Sequence, residues 1–362
     1  MLKEILFNIF MSEKVFINTY SLEEWINNKR EHTLNLFLEN EYGFYDASFN
    51  KPLDYRIIKS KIDKDVIIEK IEMKYNDHPM YFYIYLPRKI NNKLKTFITI
   101  IHPFRDKGEL LIDDYKSISD FCPIDDIISN NFAVVLLSCN SVCEDRIGGE
   151  YSGIFREMNV IRTNNSCGVI GAWAWACTKV VDYLLLRKEF DETKIAVVGH
   201  SRGGKTALLA ACLDQRIVLA ISNCSGNSGA ALSRNCNGEK IKDIVSRFPY
   251  WFNLNYQKYI DNEEHLPFDQ HQLLGLIAPR YCYIASASED LWADPDGELK
   301  SCIYATQYFE MYNKKGYVGP KIVKNDILYG EGHIAYRRKT GKHCLEKNDW
   351  INFIEYFRNI SK

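Results

Sequence analysis

Five residues, Gly199-His200-Ser201-Arg202-Gly203, set the chemistry open to this sequence. A serine hydroxyl is a poor nucleophile until a base takes its proton, and the base needs an acid to orient it. The G-x-S-x-G spacing meets the first need when a strand precedes it and a helix follows. Both flanks fit. Ile195 to Val198 is a short β-branched run of the buried parallel kind, and Lys205 to Leu213 is rich in Ala and Leu. Such a turn leaves the hydroxyl at a strand end and a helix start, where main-chain N–H groups can hold developing negative charge. A side chain at 199 or 203 is expected to crowd neighbouring backbone. The N–H of Arg202 is the expected oxyanion donor, and its guanidinium can add charge to the same oxygen. Lys205 lies one helical turn on, with its ammonium either rising toward the pocket or lying on a solvated helix face.

The acid and the base follow the serine in this architecture, in that order. Carboxylates cluster after the strand Tyr281 to Ala287, in Ser288-Glu289-Asp290-Leu291-Trp292-Ala293-Asp294-Pro295. Asp290 is the favoured acid, with Glu289 and Asp294 as alternatives. The competing reading is that these acids cap a helix beginning near Asp296. For the base there are two histidines, His333 just after a strand expected at Lys321 to Leu328, and His343 shortly before the last helix. Spacing alone does not choose between them. His102, after an early strand, is placed at the oxyanion region.

The elements that must position these groups read as an α/β alternation. Residues 21–40 form a helix with a capping box from Ser21 to Glu24. Residues 66–73 and 79–86 read as an antiparallel edge pair turning at Asn76-Asp77-His78-Pro79. Thr96 to His102, Phe132 to Ser138 and Val218 to Ser222 are further short apolar strands, and residues 168–187 are helical. The last helix, Asp349 to Phe357, carries Trp350, Phe353, Ile354 and Phe357 at i, i+3, i+4 and i+7, capped by Asn348 or Asp349. Strands alternating with helices imply a mostly parallel sheet covered on both faces. The chain is expected to be a single domain over 1–362, with an N-terminal helical segment at 1–60 and a pocket-forming insertion at 223–279.

With 46 basic against 47 acidic residues the net charge is −1, which argues against a polyanion or an anionic membrane surface as partner. The opening MLKEILFNIFMSEK is apolar only in part and is interrupted by Glu4, so neither a signal peptide nor a membrane span is read there, and the cytoplasm is the expected compartment. The 11 cysteines contain no C-x-x-C pair. Cys139 and Cys143 have no His or Cys beside them to complete a zinc set. Reduced, buried thiols are expected, with no metal and no cofactor.

Gly199-His200-Ser201-Arg202-Gly203-Gly204-Lys205 resembles the G-[CH]-S-R-x-G-K signature of carbohydrate esterase family 15, the glucuronoyl esterases, in its acetylxylan-esterase-like bacterial branch. The resemblance continues through Asn223-Cys224-Ser225-Gly226 and Gly229 to Arg234. It takes in Phe248-Pro249-Tyr250-Trp251-Phe252, Leu266 to His271, Ile277 to Arg280, Trp292 to Pro295 and the closing Gly341-Lys342-His343. It implies an α/β-hydrolase fold and a metal-free serine esterase acting on carbohydrate esters, foremost 4-O-methyl-glucuronoyl esters. Acetylxylan esterase or general carboxylesterase activity is the alternative, and an inactive carbohydrate-binding protein is the reading from another class. The resemblance points to His343 as base and Arg202 at the oxyanion. It assigns Lys205, Trp251, His271 and Trp292 to the substrate. Cys224 stands where many members carry a glutamate acid, which favours Asp290, and Tyr250 stands where many carry His.

Overall fold

The computed structural model describes residues 19–102 and 115–361. The opening stretch read for a signal peptide lies outside them. A ten-stranded sheet forms the centre, in the order β1-β2-β3-β5-β4-β6-β7-β8-β10-β9. The strands are β1 (Asp54–Asp63), β2 (Val66–Tyr75), β3 (His78–Pro87), β4 (Leu94–Ile101), β5 (Phe132–Ser138), β6 (Phe190–His200), β7 (Ile217–Asn223), β8 (Tyr281–Ala287), β9 (Leu328–Tyr329) and β10 (Ile334–Lys339). From β5 to β10 neighbouring strands run parallel, while β1, β2 and β3 form an antiparallel flank and β9 pairs antiparallel at the other edge. This is the mostly parallel sheet expected from the alternation, in the α/β-hydrolase architecture that the resemblance implies.

Side chains alternate through the sheet into two cores. On β6, Ile195 and Val197 join the core that holds the helix Val169–Leu185 and the elbow helix Arg202–Leu213. Ala196 and Val198 join the opposite core, against the terminal helix Lys347–Ile360. Period-two alternation in a strand covered on both faces makes every position apolar, which is why these strands read as unbroken hydrophobic runs.

Three expectations are corrected. The 1–60 segment is not wholly helical. Helical turns run from Leu22 to Tyr42, opened by the Ser21–Glu24 capping box, and β1 begins at Asp54 as the outermost strand beyond the 66–75 and 78–87 pair. Its mostly exposed pattern hid it, because an edge strand with solvent on both faces shows no alternation. The stretch Lys321 to Leu328 is not a strand, except that Leu328 opens the two-residue β9. Ile322 is 89% exposed, and Asp326 adopts φ 63°. The paired strand is Ile334–Lys339, whose Arg337, Arg338 and Lys339 disguise it. Arg337 and Lys339 are buried because both reach Asp349, at 3.2 and 2.7 Å. The terminal helix is capped by Glu346, whose N–H donates to Asp349 Oδ2 at 3.2 Å.

The terminal helix locks to the sheet through Trp350, which is fully buried, meets Phe97 edge-on and donates its indole N–H to the Phe121 carbonyl at 2.7 Å. Trp350→Ala should cost about 3–5 kcal/mol by cavity formation, read as a lowered urea midpoint at unchanged slope.

Candidate active site

At the end of β6 the chain turns through Ser201 at φ 55°, ψ −125°, a conformation a serine adopts only when its surroundings impose it. A Cβ at Gly199 would lie 1.9 Å from the Gly203 carbonyl oxygen, and one at Gly204 would lie 2.8 Å from Ser222 Oγ. At Gly203 it would meet nothing nearer than 3.5 Å, so the crowded positions are 199 and 204 rather than 199 and 203. Ser201 N–H donates to the Asn223 carbonyl at 2.8 Å, fixing the turn to the end of β7.

The order of the last strands separates the two histidines. His333 precedes β10 and sits at the foot of the sheet, stacked on Tyr281 at 4.2 Å with Nδ1 2.6 Å from the Pro279 carbonyl. His343 follows β10 and so arrives at the strand ends, where Ser201 lies. Its Nδ1 donates to Asp290 Oδ2 at 2.6 Å. The loops carrying the two groups are stitched together by Ser288 N–H to the Lys339 carbonyl, 2.9 Å, and Glu289 N–H to the Gly341 carbonyl, 2.8 Å. Lys339 Nζ also donates to the Cys344 carbonyl, 2.8 Å, directly after His343. Of the other acid candidates, Glu289 is exposed. Asp294 caps the helix Pro295–Glu310, accepting from Gly297 N–H at 3.0 Å.

His200 lies under the His343 ring at 4.5 Å and donates through Nδ1 to Asn223 Oδ1 at 2.6 Å. Burial, reinforced by the neighbouring His343, lowers its pKa to about 4, so it stays neutral and does not compete for the Asp290 charge.

Arg202 is held by a residue that no motif or spacing singles out. Asp145 Oδ2 lies 2.5 Å from Arg202 Nε, while its Oδ1 accepts from Tyr250 Oη and Trp251 Nε1, both at 3.0 Å. His102 stands 3.6 Å from the same carboxylate. Burial, with the Arg202 charge adding to it, keeps that imidazole neutral. Asp145 sits on an irregular loop with no motif around it.

Ser201, Arg202, Asp290 and His343 line one cavity of about 300 Å³, with Trp251 and Trp292 also in its wall. Trp251 is stacked on Phe248 at 3.8 Å, and Trp292 stands at the rim, 44% exposed. Trp292 Nε1 donates to Glu239 Oε1 at 3.2 Å, which makes Glu239 a second wall residue missed in the sequence. Lys205 also borders the cavity, but its ammonium serves the protein. It donates to the carbonyls of Ser225 (2.7 Å) and Asn227 and lies 3.4 Å from Glu239 Oε2. Three acceptors match its three hydrogens, so the expected sugar contact is replaced by a buried cation that ties down the loop after β7. His271 is not in the cavity. It is fully buried in the helix Gln270–Gly275, facing the rings of Tyr304 and Tyr308, because that helix packs against Pro295–Glu310.

The arrangement holds a strained serine, a histidine oriented by a buried carboxylate and a cation beside them, which is the equipment for acyl transfer. A family model described as fungal glucuronyl esterase matches residues 115–314. The chain belongs to the glucuronoyl esterases, carbohydrate esterase family 15. Its sequence is 37% identical over 236 residues to carbohydrate esterase MZ0003 from an unknown prokaryotic organism, covering 64% of this chain and 54% of that protein. A 4-O-methyl-glucuronoyl methylesterase of Podospora anserina is 34% identical over 155 residues, 40% of this chain and 32% of the enzyme. The chain thus spans about half, or less, of the length of these curated relatives. Among solved structures, a glucuronoyl esterase from Solibacter usitatus superposes with a TM-score of 0.86 at 25% identity, over 94% of both chains. A promiscuous family 15 esterase from a marine bacterial metagenome gives 0.85 at 29%, again over 94% of both.

Substitutions test the geometry. His343→Ala should abolish ester hydrolysis while His333→Ala retains most of it, and Asp290→Asn should lower kcat by about 10⁴, the loss for the same exchange in a serine protease triad. Asp145→Asn removes the charge that aims Arg202, so kcat should fall by about 10²–10³, the range for a lost oxyanion donor, with Tm shifted far less. Steady-state kinetics beside thermal melts checks each.

Proposed function

We propose that this chain is a serine esterase that cleaves glucuronoyl esters of carbohydrates through an acyl-enzyme. The reading is carried by the His343–Asp290 contact at 2.6 Å in the cavity that Ser201 also lines. Ser201 Oγ attacks the ester carbonyl as His343 Nε2 takes its proton. Asp290 holds the Nδ1 proton, so the imidazole presents the correct lone pair and its cation is stabilised when it forms. The N–H of Arg202, at the start of the elbow helix, and the guanidinium beside it receive the charge on the carbonyl oxygen. The imidazolium then protonates the leaving alcohol, and a water activated by His343 releases the acid.

The uronate preference is supported by the fungal relative's name and by the wall chemistry. Glu239 can accept from sugar hydroxyls, and Trp251 and Trp292 offer faces for a pyranose ring. The discriminating measurement compares alcohol release from a methyl glucuronate ester with acetate release from acetylated xylo-oligosaccharides. Faster cleavage of the uronate ester, by about tenfold or more in kcat/KM, is expected from the added hydrogen bonds. Acetate release without uronate activity would replace the reading with an acetyl esterase. A failure of Ser201 to take a fluorophosphonate label would replace it with a binding protein.

A further inference from the structure

Among the described residues one group of side chains has the spacing of metal ligands, and it lies within the cavity. Cys224 Sγ, a carboxylate oxygen of Asp290 and a ring nitrogen of His343 are all within 4.8 Å of one another. Cys224 and Asp290 are buried, at 1% and 6% exposure, whereas the His343 side chain is 41% exposed, so the group opens toward the substrate space. The backbone holds it in place. Cys224 leaves β7 at φ 49° with its N–H on the Ala285 carbonyl of β8 at 2.7 Å, and Asp290 and His343 come from the next two strand ends. One sulfur, one imidazole nitrogen and one carboxylate oxygen form a donor set for a borderline-soft divalent cation, with a fourth position left for water. A thiolate and a carboxylate also cancel the two charges of such an ion, so the complex adds no net charge to a buried site.

We propose that this chain binds a zinc-type divalent cation between Cys224, Asp290 and His343, and that the bound cation switches hydrolysis off. The proposal rests on Ser201, His343 and Asp290 being the catalytic set. On binding, the Cys224 thiol releases its proton to solvent and the cation takes the place of the proton between His343 Nδ1 and Asp290 Oδ2. The neutral imidazole then carries its single hydrogen on Nε2, leaving no lone pair to accept the proton of Ser201. The 2.6 Å gap between Nδ1 and Oδ2 must open by about 0.8 Å, since each bonds zinc at roughly 2.0–2.2 Å in tetrahedral geometry.

Cobalt(II) added to the metal-free full chain reports the site without reference to activity. A thiolate-to-cobalt absorption band at one ion per chain is expected, displaced by zinc, lost in Cys224→Ser and retained in Cys344→Ser, which removes the partly exposed thiol next to His343. Zinc should suppress hydrolysis by the unaltered chain, a chelator should restore it, and the zinc needed for half-suppression should rise by at least about 100-fold in Cys224→Ser. Circular dichroism confirms that each variant is folded. No band in the unaltered chain, a band that survives Cys224→Ser, or equal zinc sensitivity in both proteins overturns the proposal. Lack of hydrolysis by the metal-free chain overturns the esterase reading instead, because the cobalt band does not depend on turnover.

Discussion

The parallel ladder from β6 through β7 and β8 to β10 is the constraint on which the site depends. Parallel strands put all their carboxyl ends on one edge, so whatever follows each strand meets there. Ser201 follows β6, Cys224 follows β7, Asp290 follows β8 and His343 follows β10. The in-register pairing of Lys339 with Ala287 continues past the strands as the hydrogen bonds between the 288–289 and 339–341 backbones. That extension sets the distance between Asp290 and His343 before any side chain is considered.

Around the site the cations are each held by a carboxylate. Arg337 and Lys339 share Asp349 beneath the histidine loop, Lys205 meets Glu239 and two carbonyls, and Arg202 meets Asp145. Buried pairs of this kind add little net stability, but removing one partner strands the other and costs several kcal/mol. Their contribution is positional. Lys339 holds the backbone beside His343, Lys205 the loop that carries Ser225 and Asn227, and Asp145 the guanidinium beside the nucleophile. Glu298 does the same at the start of the pocket-forming segment. It is fully buried on the N–H groups of Ser225 and Gly226, both at 3.0 Å, and burial raises its pKa to about 7.

The nucleophile turn and the central strands were legible because their signals are local. Gly199 is required by a carbonyl four residues away, and the runs at 132–138 and 281–287 are largely apolar, and buried at every position but Tyr281, because both sheet faces are covered. Asp290 was legible as a carboxylate just past a strand end. The choice between His333 and His343 was not, because it turns on which stretch forms the last strand. The apolar residues at 321–328 imitate one, while the true strand hides its character behind arginine and lysine side chains neutralised from a helix 10–12 residues away.

The fold class and the candidate nucleophile, Ser201, are readable from the chain alone, since periodicity and a tight turn are properties of neighbouring residues. Long-range packing is what brings Asp145 to Arg202, engages Lys205 with backbone carbonyls, buries His271 in the core and sets Cys224 near His343 and Asp290. Each of those outcomes is a contact between segments tens of residues apart. Spacing along the chain carries no information about such contacts until the sheet sets its strand order.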